Sequence, residues 1–271
     1  MSIETGVGQG IDRVASILRA LGTDSGAGMR LVDVTELTGL SKSTVHRLLN
    51  KLVQVGFVEQ DHTTGQFHLG FELFVLGQTA VNRYRIADIA RESMTRLTTR
   101  SSDTVFLSVR SGPEAICVDR MEGSYPIKVL TLAVGDRRPL GVGAGSLALL
   151  AFFPDEEIDR ILEATESQRA AFPNFSTSAI YGLVEETRRQ SYSFNDGRIV
   201  QDMCAVGVPV FGPTGRPIAA FSIAAISNRM SSERVATLVH WLKQEAGKVE
   251  ERVKALTHDL SEPSVNRLFA R

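Results

Sequence analysis

The chain has 271 residues, 43% apolar and 23% charged, the balance of a globular protein long enough for two cores. A formal net charge of −1 excludes a basic arm that coats nucleic acid indiscriminately, so any DNA binding must come from a local patch. Cys117 and Cys204 are too few for a disulfide framework or a self-contained zinc site and fit a reducing cytoplasm, and no long apolar run or basic-then-apolar leader marks the chain for a membrane or for export.

Residues 1–9 are small and polar and read as a disordered N-terminus. Ile11, Val14, Ile17, Leu18 and Leu21 then recur at helical spacing and predict an amphipathic helix stopped by Gly22. A Gly/Ser/Asp-rich loop follows over 23–28. Leu31, Val34, Leu37 and Leu40 suit a short second helix, broken at Gly39. In the next stretch, GLSKSTVHRLLNKLVQVGF, Val45, Leu48, Leu49 and Leu52 form the buried stripe of a third helix. Ser41 stands at its N-cap and Gly56 at its stop.

The opposite side of this third helix carries Ser43, Arg47, Asn50 and Gln54, flanked by Thr44 and His46. No acid occurs over 41–58, whereas Lys42, Arg47 and Lys51 do. A cationic face rich in hydrogen-bond donors suits a DNA major groove. An amphipathic surface helix with a few lysines would look similar, so its neighbours decide. Two short helices joined by a tight glycine turn form the helix-turn-helix signature. FVEQ and QFHLG then read as strands around the DHTTG turn, which makes the unit a winged helix. The DNA-contact candidates are Ser41, Lys42, Ser43, Thr44, His46, Arg47, Asn50 and Lys51 on the helix, with His62 and Thr63 on the wing. His62 and His68 lack the further ligands a metal site needs and read as wing histidines.

At this point GIDRVASILRALG, LTGLSKSTVHRLLNKLVQVGFVE and QFHLGFELFVLG together resemble the N-terminal domain of IclR-type bacterial transcription regulators. The resemblance continues through RRPLGVGAGSLALLAFFP and CAVGVPVFGPTGRPIAAFSIAA and covers about residues 10–256. It implies a DNA-binding winged helix at 10–71, a linker and dimerisation helix at 72–100, and a GAF-like domain at 101–258 that binds a small-molecule effector, ahead of a flexible tail at 259–271. It also implies dimers through the N-terminal domains, often paired into tetramers through the C-terminal ones. A two-fold dimer would read a palindromic operator.

Residues 71–100 contain no proline and read as helix, broken once near 83–86. Small Gly77 and Ala80 would let a second copy approach closely. Beyond them TVFLSVR, AICVDRM and IKVLTL are strand-like runs separated by short turns, so they should be antiparallel neighbours. An Ala/Leu helix follows the GVGAGS loop, Pro154 opens another ahead of three acids, and 178–190 forms a third. MCAVGVPVF and PIAAFSIAAI are strands around GPTG, and Ser231 caps a final helix. The fold class is α+β: helices packed on an antiparallel sheet.

GVGAGS lacks the Lys-Ser/Thr of a P-loop, so its glycines read better as close backbone approach to a ligand at a helix start, or as a structural turn. The resemblance places effector contacts on Gly143, Ala144, Gly145, Ser146, Asn195, Asp202, Cys204, Ser222 and Ala224. The chain departs from the family pattern in three places. Gly141, Ser146 and Leu147 stand where a histidine and a Gly-Lys are common, Cys204 is offset by one residue, and Ala224 replaces a second serine. Each change trims polar groups and predicts a more apolar effector than a glyoxylate-like acid, such as an aromatic acid. No catalytic constellation, metal cluster or cofactor motif stands out. Two alternatives remain at this stage: a winged helix that binds protein instead of DNA, and a redox enzyme using Cys117 and Cys204.

Overall fold

The computed structural model describes residues 4–23, 27–81 and 86–257. It divides into two compact units, Met1–Arg83 and Tyr84–Arg271. The expected helix break near 83–86 falls largely outside the described residues, as does the tail at 259–271.

The first unit is built on α1 (Glu4–Gly22), α2 (Leu31–Thr38) and α3 (Lys42–Gln54), then a hairpin of β1 (Val58–Gln60) and β2 (Phe67–Leu69), then α4 (Phe71–Val81). Helix α1 begins earlier than the small polar N-terminal residues suggest, because each residue added to an existing helix gains a backbone hydrogen bond. Ile17, Val34, Val45 and Leu49 are fully buried in one core with Leu52, Val58 and Phe67. Leu37 instead stays 62% exposed, one residue of the α2 pattern that the short helix leaves outside. Gly39, at φ 65°, ends α2 and donates its N–H to Thr35 O at 3.0 Å. That left-handed step lets α3 start three residues later.

In the second unit α5 (Ile86–Ser101) leads into β3 (Thr104–Ser111), β4 (Glu114–Met121) and β5 (Arg137–Pro139). Then come α6 (Ala144–Leu150), α7 (Asp155–Ala164), α8 (Glu166–Arg169), α9 (Thr177–Gln190), β6 (Ser193–Asp196), β7 (Met203–Phe211), β8 (Pro217–Ile226) and α10 (Ser232–Thr257). The strands form one antiparallel sheet in the order β5-β4-β3-β8-β7-β6. Leu107, Val206 and Phe221 face a core shared with Met94 and Leu97 of α5 and Leu238 and Leu242 of α10. The other face meets α6, α7 and α9 through Ala115 and Ala220. Helices on both faces explain why β8 is buried at nine consecutive positions rather than alternately.

The run IKVLTL, expected as a third strand, is not one: residues 127–132 lie without ladder partners, and β5 takes that place in the sheet. Ile127 and Leu130 are about half exposed at 52% and 48%, while Val129 is buried, so this apolar run serves as a strap across the sheet. The short edge strands β5 and β6 carry too little pattern to be seen in advance.

One ion cluster joins α5 to α10. Glu245 is fully buried and accepts from Arg96 Nε at 3.1 and 3.0 Å, from Arg96 Nη2 at 2.8 Å and from Lys248 Nζ at 2.7 Å. Burial alone would raise its pKa; the hydrogen bonds from Arg96, Lys248 and Ser93 outweigh that and hold it at about 2, against 4.5 for the free group. A depressed carboxylate stabilises the fold above its unfolded pKa, and that contribution disappears as pH falls from about 5 towards 2. Glu245→Gln should flatten this acid limb of a pH-dependent denaturation series, whereas Arg96→Ala should cost about 3 kcal/mol at neutral pH by leaving a buried charge short of donors.

Candidate functional site

Helix α3 is placed by its ends and by one face. Ser41, at φ −64° and ψ 144°, accepts the Thr44 N–H at 3.4 Å, and its hydroxyl lies 2.9 Å from Thr44 Oγ1 and 3.2 Å from Ser43 Oγ. Val45, Leu48, Leu49 and Leu52 bury the inner stripe. Lys42, Ser43, His46, Arg47, Asn50 and Lys51 are exposed on the outer side, with Thr44 half-buried at its edge. Asn50 Nδ2 is 3.5 Å from His46 Nε2, and Lys51 Nζ donates to Gln54 Oε1 at 3.0 Å. No acid neutralises this surface from within the helix. The predicted contact residues therefore share one outward, cationic face on a rigidly packed support.

In the wing, Asp61 Oδ1 accepts the N–H groups of Thr63 at 2.7 Å and Thr64 at 3.3 Å. The Thr63 backbone bond is the main reason its carboxyl titrates below the usual range. Gly65, at φ 73°, completes the turn, and His62 and Thr63 stand exposed at the tip. His68 does not join them. Its ring packs where a Cβ on Gly28 would sit, 2.4 Å away, which explains a glycine there. Among the described residues no group of His, Cys, Asp and Glu could hold a metal.

The second unit contains a pocket between the start of α6 and the sheet, with a cavity volume of about 40 Å³ and partly open to solvent. Eight of the nine predicted effector residues line it: Gly143, Ala144, Gly145, Ser146, Asn195, Cys204, Ser222 and Ala224. Asp202 does not; it is exposed, at φ 62°, and its carbonyl accepts the Ser227 N–H at 2.8 Å in a turn. Cys204 borders the pocket but packs in the opposite core with Val206 and Val208, and Ala205, paired with Ala224, is the residue whose parity matches the pocket face. The one-residue offset of the cysteine thus turns its side chain away, since strand neighbours point to opposite faces.

Glycine has a steric reason at two of these positions. Gly143 adopts φ 91°, and a Cβ on Gly145 would come within 3.2 Å of Ser222 Oγ and 3.4 Å of Ser108 Oγ. Ser146 spends its hydroxyl on Pro139 O at 2.9 Å. The walls also include residues that the sequence reading did not single out: Phe106, Ser108, Arg138 and Ile199, with Val129, Thr131 and Leu132 from the strap. Only the arginine of RRPLG offered a signal, a charge beside a glycine loop. Burial lowers the Arg138 pKa, against an opposing pull from Asp136, and its Nη2 donates to Thr131 O at 2.5 Å. Cys117 sits on the same wall, and burial pushes its thiol up to about 11, which keeps it protonated at neutral pH and opposes a redox thiolate.

This arrangement, a winged helix-turn-helix with a cationic outer face and a pocketed sheet unit, matches known proteins on both parts. Residues 10–62 match the IclR helix-turn-helix domain, and residues 78–251 match the C-terminal domain of the bacterial transcriptional regulator IclR. The chain belongs to the IclR family of bacterial transcriptional regulators. It is 30% identical over 246 residues to the HTH-type transcriptional regulator KdgR of Escherichia coli, covering 88% of this chain and 92% of that protein. It is 28% identical to KipR of Bacillus subtilis over 226 residues, covering 83% and 90%. Among solved structures, an IclR regulator from Alicyclobacillus acidocaldarius superposes with a TM-score of 0.74 at 24% identity, covering 90% of this chain and 98% of the other. An IclR homolog from Microbacterium hydrocarbonoxydans, complexed with 4-hydroxybenzoate, does so with a TM-score of 0.71 at 24% identity, covering 91% and 99%. As an IclR-family member the chain is a transcriptional regulator that binds DNA through its helix-turn-helix domain.

Proposed function

We propose that this regulator works as a homodimer, able to pair into a tetramer, that reads a palindromic operator with two copies of α3 and is switched by an apolar organic acid in the pocket of its second unit. The observation that carries the DNA part is the outward face of α3: three cations and several hydrogen-bonding side chains, no acid, on a helix whose other face is fixed in the core. The wing residues His62 and Thr63 are assigned to the flanking phosphates or minor groove. Dimerisation is supported by α4, where Phe71 and Phe74 are 66% and 58% exposed with ring centroids 5.6 Å apart. Two large aromatic side chains left in water side by side are what a second copy would cover.

The effector reading rests on the pocket. Phe106, Val129, Leu132, Ile199 and Ala224 give its wall an apolar part that a ring can pack against, beside the polar groups. The 4-hydroxybenzoate complex of the Microbacterium homolog supports an aromatic acid here. Such a ligand changes operator affinity only through different affinities for the DNA-competent and DNA-incompetent arrangements of the oligomer.

The test is binding of the purified protein to DNA upstream of its own gene and to a genomic fragment library, across a salt series with competitor DNA. A sequence-specific complex that weakens steeply with salt is expected. Binding to no fragment, or binding indifferent to salt, would sink the operator reading.

A further inference from the structure

The pocket holds a charge and a buried amide that the protein itself does not satisfy. Arg138 lies on β5 at the pocket wall with its guanidinium beside Gly143; a Cβ there would be 3.4 Å from Nη1. Its hydrogen bond goes to a neutral carbonyl, Thr131 O, and no carboxylate lies within ion-pair distance among the described residues. Asp136 acts on it only at a distance; a guanidinium presents five donors in a fixed fork, and a half-buried one with no carboxylate in direct contact is matched best by a carboxylate. Asn195 belongs to β6, where it pairs with Ala205, and this places it on the pocket face of the sheet. It is 6% exposed, and its Oδ1 is buried without a partner. A hydroxyl meets that need in either orientation of the amide, because it both donates and accepts. Ser108 and Ser222, on the same wall, extend the polar strip. The lining also carries apolar surface, from Phe106, Val129 and Ile199.

We infer that Arg138 is the carboxylate anchor of the effector site and Asn195 its hydroxyl reader, so that the pocket selects ring-shaped monocarboxylic acids bearing a hydroxyl away from the carboxylate. This rests on the pocket being the effector site, as proposed above, and adds the chemistry and polarity of the ligand. A small keto acid would reach the guanidinium and leave the amide unsatisfied. A ring acid without the hydroxyl would leave the buried amide oxygen still without a partner.

The experiment is calorimetric titration of the full-length protein with 3- and 4-hydroxybenzoate, benzoate, methyl 4-hydroxybenzoate and glyoxylate. It is repeated on Arg138→Gln, Asn195→Ala and Ala224→Trp, each checked for native circular dichroism and retained DNA binding. A hydroxybenzoate should bind best. Arg138→Gln should weaken it by roughly 10- to 100-fold, the scale of a charge-assisted hydrogen bond, and leave affinity for the methyl ester unchanged. Asn195→Ala should erase the preference for hydroxybenzoate over benzoate. The inference falls if Arg138→Gln binds the acid as tightly as the parent does, if the ester matches the acid, or if neither hydroxybenzoate binds. Ala224→Trp separates the two levels. Binding blocked by it yet indifferent to Arg138 overturns the anchor and keeps the pocket, whereas binding that ignores it removes the pocket reading as well.

Discussion

Arg47→Ala is expected to abolish specific operator binding while leaving effector affinity unchanged. Arg47 is exposed on the acid-free face of α3, outside the buried stripe of Val45, Leu48, Leu49 and Leu52, so its truncation removes no core contact. A good arginine contact to a base edge contributes about 1–3 kcal/mol, and a two-fold dimer loses it twice, about 2–6 kcal/mol in all. Specific complexes exceed non-specific ones by only about 4–10 kcal/mol, so most of the discrimination should vanish. Electrophoretic mobility shifts against the operator and a scrambled duplex read the loss, and calorimetry reads the effector. Equal loss of both would show a misfolded protein and withdraw Arg47 from the DNA surface.

Leu49→Ala on the same helix should have the opposite origin and a similar readout on DNA. Leu49 is completely buried, at the centre of a core shared by α1, α2, α3 and the hairpin. Such truncations cost about 2–5 kcal/mol, through lost burial and the cavity left behind. A unit of this size has about 4–12 kcal/mol in total, so its melting temperature should drop by about 10 °C or more. The sheet unit has cores of its own, in which Leu49 takes no part. Its transition should stay in place, and effector binding should survive below it. A thermal scan in which both transitions fall together would show that the two units do not melt independently.

The winged helix was legible in the sequence because its information is local. The stripe at Val45, Leu48, Leu49 and Leu52, the Ser41 cap and the turn glycines act within one or two helical turns, and the structure places each accordingly. Resemblance likewise named eight residues that do line the pocket. What stayed hidden depends on partners far along the chain. Residues 127–132 have the apolar content of a strand, but the sheet position they would take belongs to β5, so they become a strap. Cys204 and Ala205 differ by one place, and only the register against Ala224 and Ala225 decides which faces the pocket.

Arg138 and Asn195 show the same division most sharply. In sequence they are 57 positions apart on short edge strands, one in a basic pair and one in a polar run. The sequence by itself determined the unit that meets DNA, since a helix face repeats every few residues. Only the tertiary structure decided what the second unit can hold. Whether a charge or an amide is buried without a partner depends on what the rest of the chain brings beside it, and no local pattern encodes that.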